Sequence, residues 1–129
     1  MGYDIRFSGS IAIDPSILAD EVLAAGYGEP GRYGDKDVAV KVVEAPVEGA
    51  PGAYRRLVTE IVPSMGTYTA YNIEDHIQEI VDRWGEGRTF TGRIDCLDPI
   101  EGDRWRLSIR DGRLVKQVPQ IVWPDDEGV

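Results

Sequence analysis

The sequence predicts an α+β domain: a single, mainly antiparallel sheet with two helices packed on one face. Three observations predict it. Several segments alternate apolar and polar residues with the period of a half-buried strand. One segment, Ile73 to Trp84, carries its apolar residues with the period of a helix. Turn-forming residues separate the strands so that the order reads β-α-β-β-α-β-β-β, and helices interspersed among antiparallel hairpins segregate to one side of a sheet.

The first strand spans Tyr3 to Asp14, with Tyr3, Ile5, Phe7, Gly9, Ile11 and Ile13 on one face and Asp4, Arg6, Ser8, Ser10 and Asp14 on the other. Asp14 or Ser16 then caps a short helix that Pro15 helps to start, which carries Leu18, Val22 and Ala25 as its stripe and stops at Gly26. Gly26 to Gly34 is a loop. Asp37 to Glu44 makes the second strand, and a turn from Ala45 to Ala53 leads to the third, near Tyr54 to Val62. After a loop from Pro63 to Ala70, Asn72 caps the second helix, whose Ile73, Ile77, Ile80, Val81 and Trp84 form one stripe before Gly85 and Gly87 end it. Thr89 to Leu97 is the fourth strand. Trp105, Leu107 and Ile109 alternate in the fifth, and Arg113 to Val122 returns as the sixth after Asp111-Gly112. A two-residue turn pairs Ile109 with Leu114, whereas a three-residue turn with a bulge shifts the register by one. Pro119 marks an edge position or a bulge.

Two strands share a pattern: Phe7-Ser8-Gly9-Ser10-Ile11 followed by Asp14-Pro15, and Phe90-Thr91-Gly92-Arg93-Ile94 followed by Asp98-Pro99. The repeat hints at a pseudo-duplicated ferredoxin-like layout with an added C-terminal strand, and chance similarity between strands is the alternative. In either case a glycine in mid-strand marks a place where something approaches the backbone closely.

The 129 residues fit one domain, residues 1–123, with a loose acidic tail at 124–129. Composition is that of an ordinary globular chain. Cys96 is the only cysteine, which excludes an intramolecular disulfide framework and suits a reducing cytoplasm. No apolar run approaches the ~20 residues of a membrane span, and the first residues lack a signal-peptide pattern. Net charge is −9, unevenly placed: Arg88 to Lys116 holds seven basic and five acidic residues, so that segment is +2 and the remainder −11. An acidic chain repels DNA and anionic membranes at long range, which argues against direct DNA binding.

The opening strand ending in Ile13-Asp14-Pro15, the helix from Tyr71 to Val81 and the strand Phe90 to Cys96 form a recognisable set. With them go Gly102-Asp103-x-Trp105-Arg106-Leu107, Arg110-Asp111-Gly112-Arg113 and Ile121-Val122-Trp123-Pro124-Asp125. Together they resemble a family of small acidic proteins of unknown function found in actinomycetes and their phages. The resemblance spans nearly the whole chain and implies a bacterial or phage cytoplasmic protein, and it transfers no active-site residue.

Each candidate for chemistry has a structural alternative. Gly26-x-Gly28-x-x-Gly31 has dinucleotide-fingerprint spacing, but a helix precedes it and a strand follows, the reverse of what phosphate binding needs. His76, the only histidine, flanks the helical stripe next to Asp75; neighbouring helix positions diverge, so it fits a staple to Tyr71 better than a catalytic base. Cys96 falls on the inward row of its strand, as a core thiol does. Asp95, Asp98, Glu101 and Asp103 cluster in sequence and form the basis of an alternative reading, a metal-dependent phosphodiesterase or other hydrolase.

The arginines are the sharper lead. With Trp105, Leu107 and Ile109 turned inward, Arg93, Arg104, Arg106 and Arg110 share the open face, together with Arg6, Ser8 and Ser10 if the first strand joins the same sheet. Guanidinium groups bind carboxylate or phosphate bidentately. The aromatics alternate to the wrong side for base stacking, which disfavours RNA. The expectation is a cytoplasmic, non-enzymatic interaction module that needs no cofactor, with this face contacting a protein partner or a second copy. A phage inhibitor whose acidic surface competes for a host nucleic-acid-binding protein is a further alternative.

Overall fold

Alternating apolar residues and paired backbone groups shape a sheet that takes up half of the described residues. The structure is a computed structural model and describes residues 5–31, 36–64, 67–68 and 72–124. Its elements run β1 (Ile5–Leu18), α1 (Ala19–Ala24), β2 (Val38–Pro46), β3 (Tyr54–Pro63), β4 (Thr67–Tyr68), α2 (Ile73–Trp84), β5 (Thr89–Leu97), β6 (Arg104–Arg110) and β7 (Arg113–Gln117). The sheet is antiparallel throughout, in the order β2-β3-β1-β5-β6-β7, with β4 pairing beside the start of β1. The α+β expectation is met. β3 lies between β1 and β2, and β5 flanks β1 on the other side, which is the split βαβ order of a ferredoxin-like layout. Two strands, β6 and β7, extend it, the fifth and sixth strands expected from the sequence.

The repeated strands are β1 and β5, and they pair with each other. Gly9 lies opposite Ile94 and Ile11 opposite Gly92, so the two copies are related by a local two-fold centred on Ser10 and Arg93. Both glycines adopt positive φ, +97° and +107°. A Cβ on Gly9 would stand 2.4 Å from the Arg93 carbonyl oxygen, and one on Gly92 2.5 Å from that of Ser10. The close approach anticipated at these glycines is therefore that of each strand's backbone to the other.

One apolar core fills the space between the sheet and the helices. Phe7, Ile11, Ile13 and Ile17 from β1 meet Val38, Val40, Val58 and Ile61 from β2 and β3, Ile94 and Leu107 from β5 and β6, and Ile73, Ile77 and Ile80 from α2. Trp84, Phe90 and Trp105 pack against it while partly exposed.

Three boundaries and one cap differ from expectation, and the expected loop from Pro63 to Ala70 contains the short β4. β1 continues past Pro15 to Leu18, because pairing with β3 resumes after an irregular stretch, with Ile17 opposite Val58 and Leu18 opposite Leu57. α1 consequently starts at Ala19 with no side-chain cap, buries Ala19 and Val22, and leaves Leu18 48% exposed on the strand. Asn72 does not cap α2 through its side chain; its N–H donates to Asp37 Oδ2 at 2.7 Å. The expected sixth strand ends at Gln117 rather than Val122, just short of Pro119. The Asp111-Gly112 turn has positive φ at both residues, 53° and 75°, and pairs Ile109 with Leu114, which is the two-residue register. Tyr3, Tyr71 and the tail beyond Pro124 lie outside the described residues.

Candidate binding groove on the open sheet face

Strand alternation decides what lines the face away from the helices. Across the sheet, Arg104 pairs with Leu97 and Leu97 with Arg6, so one row reads Arg-Leu-Arg. The next row reads Gln117, Arg106, Asp95 and Ser8. Neighbouring strands lie ~4.8 Å apart, which sets Arg6 and Arg104 about 10 Å from each other with Leu97 between them. These two rows floor a groove of about 780 Å³, whose lining includes Val118 and Pro119 where the chain leaves β7.

The charges in and beside the groove are only partly balanced. Asp95 accepts from Arg106 Nε at 3.1 Å and from Arg93 Nε at 3.4 Å, with all three side chains about half exposed. Arg6 and Arg104 are exposed and have no ion pair among the described residues. Further along the face, Ser10 Oγ donates to Glu60 Oε1 at 3.0 Å and Lys41 meets Glu60 Oε2 at 3.3 Å.

Of the four arginines singled out from the sequence, Arg104 and Arg106 therefore line the groove and Arg93 borders it through Asp95. All four are exposed, as the strand phase requires. Arg110 stands apart, opposite Arg113 at the hairpin and roughly 13 Å along β6 from Arg106. Arg6 completes the pair around Leu97; its own alternation marked it as outward, but its nearness to Arg104 depends on strand order. Arg88, counted among the basic residues, is structural: its guanidinium donates to the carbonyls of Pro15, Ser16 and Trp84 and ties the end of β1 to the end of α2.

The carboxylates of the hydrolase alternative are spread over different tasks. Asp98 is 3% exposed, and its Oδ1 accepts the N–H groups of Ile100 and Glu101 at 2.9 and 3.1 Å, closing the turn into β6. Asp95 holds Arg93 and Arg106 on the open face. Among the described residues no group of three or more His, Cys, Asp or Glu is placed to hold a metal ion.

A second polar cluster sits at α2. Tyr27, buried in the Gly26–Gly31 loop, donates its hydroxyl to Glu79 and to the His76 carbonyl oxygen, and Lys36 lies 5.0 Å from its ring centre. Burial first, then the bond to Glu79, push the phenol well above its ordinary range. The same bond holds the Glu79 carboxyl below its ordinary value. His76 Nδ1 accepts the Asp37 N–H at 2.9 Å, and its ring meets Tyr27 edge-on. The histidine thus anchors the entry to β2; its expected partner Tyr71 lies outside the described residues. At the other side of the sheet Gln78 accepts the Leu114 N–H at 2.8 Å and donates to the Gly112 carbonyl. α2 is fastened to both edges of the sheet, and no helix covers the opposite face among the described residues. Cys96 is buried in the core, and burial pushes its thiol up to about 12.

Comparison with known proteins adds membership without an activity. The chain belongs to a family of unknown function, DUF6205, whose model matches residues 1–129. No curated protein and no solved structure matches it. No helix among the described residues is long and apolar enough to cross a membrane.

Proposed function

Because the family to which this chain belongs has no assigned function, we propose one from its geometry: a non-enzymatic binding module whose groove takes an acidic, extended segment of a protein partner. The observation that carries this is the Arg6-Leu97-Arg104 row, two exposed guanidiniums with no ion pair among the described residues, on either side of an apolar side chain. A carboxylate can bind each arginine bidentately, and an apolar side chain between the carboxylates meets Leu97, Val118 and Pro119. Arg106, already held by Asp95, sits in the next row and orients the ligand rather than neutralising it. The net charge of −9 keeps non-specific anions at a distance, so recognition is short-range and local.

The proposed setting is the cytoplasm of an actinomycete or of a phage-infected host. It is supported by the resemblance described above and by a single buried thiol that a reducing compartment leaves unmodified.

The test is chemical-shift mapping with a Glu-Leu-Glu-rich peptide. Amide shifts concentrated at Arg6, Leu97, Arg104 and Arg106, and lost in Arg6→Gln/Arg104→Gln, support the reading. Shifts confined to α2 or to the Arg110 hairpin contradict it.

A further inference from the structure

The described chain ends in a segment that its own fold does not use. After β7, Val118 is 64% exposed and Ile121, Val122 and Trp123 are 81 to 82% exposed. Three consecutive large apolar residues in the open are a feature that proteins ordinarily cover with a partner. In the sequence they are followed by Pro124, Asp125, Asp126 and Glu127. This is the composition that the groove selects: apolar side chains next to a run of carboxylates.

We propose that the partner is a second copy of this chain, and that the segment from Ile121 to Glu127 of one copy docks in the groove of the other. The inference rests on the proposed function and names its ligand. Trp123 or Val122 fills the space against Leu97, Val118 and Pro119, and the acidic run meets Arg6 and Arg104, which have no ion pair among the described residues. Charge complementarity selects this occupant: the acids follow the apolar triplet directly, so one extended segment supplies both chemistries. The segment starts at the wall of its own groove, at Val118-Pro119, and the exposure of Ile121 to Trp123 shows that they are not packed in that groove within the same chain, which favours delivery to a neighbour. Each copy carries one groove and one segment, so a reciprocal exchange closes as a two-fold dimer.

The test uses three full-length chains at physiological ionic strength: wild type, Trp123→Ser, and Arg6→Glu/Arg104→Glu. Sedimentation equilibrium should give wild type a mass that rises with concentration to twice that of one chain, while each variant alone remains a monomer. Neither variant alters a core residue, and circular dichroism confirms that both fold. Mixing the variants should restore association, because one retains the groove and the other the segment. The restored complex has a single contact and is at least tenfold weaker than wild type. A wild type that is monomeric at all concentrations overturns the inference, as do a dimer that survives both variants and a mixture that does not associate. Binding of the Glu-Leu-Glu peptide to a monomeric wild type would leave the proposed function standing while removing self-association, so the two fail separately.

Discussion

Replacing Gly92 by alanine should be among the most damaging single-methyl additions available to this fold. Two costs add. Gly92 sits at φ +107°, a conformation that an L-residue adopts only at a strain of roughly 1–3 kcal/mol. Its new Cβ would also lie 2.5 Å from the Ser10 carbonyl oxygen and 3.6 Å from the Ile11 Cα. Both are backbone atoms of β1, which is held by β3 on its other side, so relief requires moving the centre of the sheet. Gly102 isolates the first cost, because its φ is +78° and nothing lies within 4 Å of the added atom. Equilibrium urea unfolding should therefore show Gly92→Ala less stable than wild type by about 3 kcal/mol or more, and Gly102→Ala by about 1 kcal/mol. Gly9→Ala, at the symmetry-related position with a 2.4 Å approach, should match Gly92→Ala. Equal losses at Gly92 and Gly102 would refute the idea that the repeat exists to bring the two backbones together.

Three further outcomes follow from the packing. Ile80→Ala, which empties a fully buried position under α2, should cost roughly 2–5 kcal/mol in the same unfolding assay, and a loss well under 1 kcal/mol would mean that α2 does not pack as described. Cys96, buried and with its thiol raised to about 12, should react with a thiol reagent at neutral pH only at the rate of unfolding, so labelling should accelerate with urea. Glu79 has its carboxyl lowered by the Tyr27 hydroxyl. The stability this bond confers is present above the ordinary carboxylate range and is lost as pH falls through the lowered value; acid titration of the melting temperature should be steeper in wild type than in Tyr27→Phe.

How much of this was legible in the sequence depended on the range of the interaction. Period-two alternation placed Arg104 and Arg106 outward and Leu107 inward, and Asp111-Gly112 allowed the hairpin register that the structure adopts. Helical periodicity identified α2 almost residue for residue. Pro15 misled: a proline after an aspartate reads as a helix start, whereas pairing with β3 resumes after an irregular stretch and carries the strand to Leu18. Asn72 stands at the N-cap position as expected but makes no side-chain cap, and its own N–H is held by Asp37, 35 residues away, a contact the local pattern does not show. The groove itself was illegible. It exists because β1 pairs with β5, which puts Arg6 beside Leu97, 91 residues later in the chain; alternation along one strand carries no information about strand order, and only the ferredoxin-like reading of the repeat implied that these two strands are neighbours. The β1–β5 repeat was visible, but not the register in which its two copies pair.

Under the proposed function, Arg6 and Arg104 anchor a carboxylate-bearing segment in the groove. The most direct measurement is isothermal titration of the Glu-Leu-Glu peptide into wild type and Arg6→Gln/Arg104→Gln at low and at physiological salt. Wild type should bind with an affinity that falls as salt rises, and the variant should bind at least ~10-fold more weakly, the equivalent of about 1.4 kcal/mol, with most of the salt dependence gone. Equal affinity and equal salt dependence in the two proteins would contradict the account.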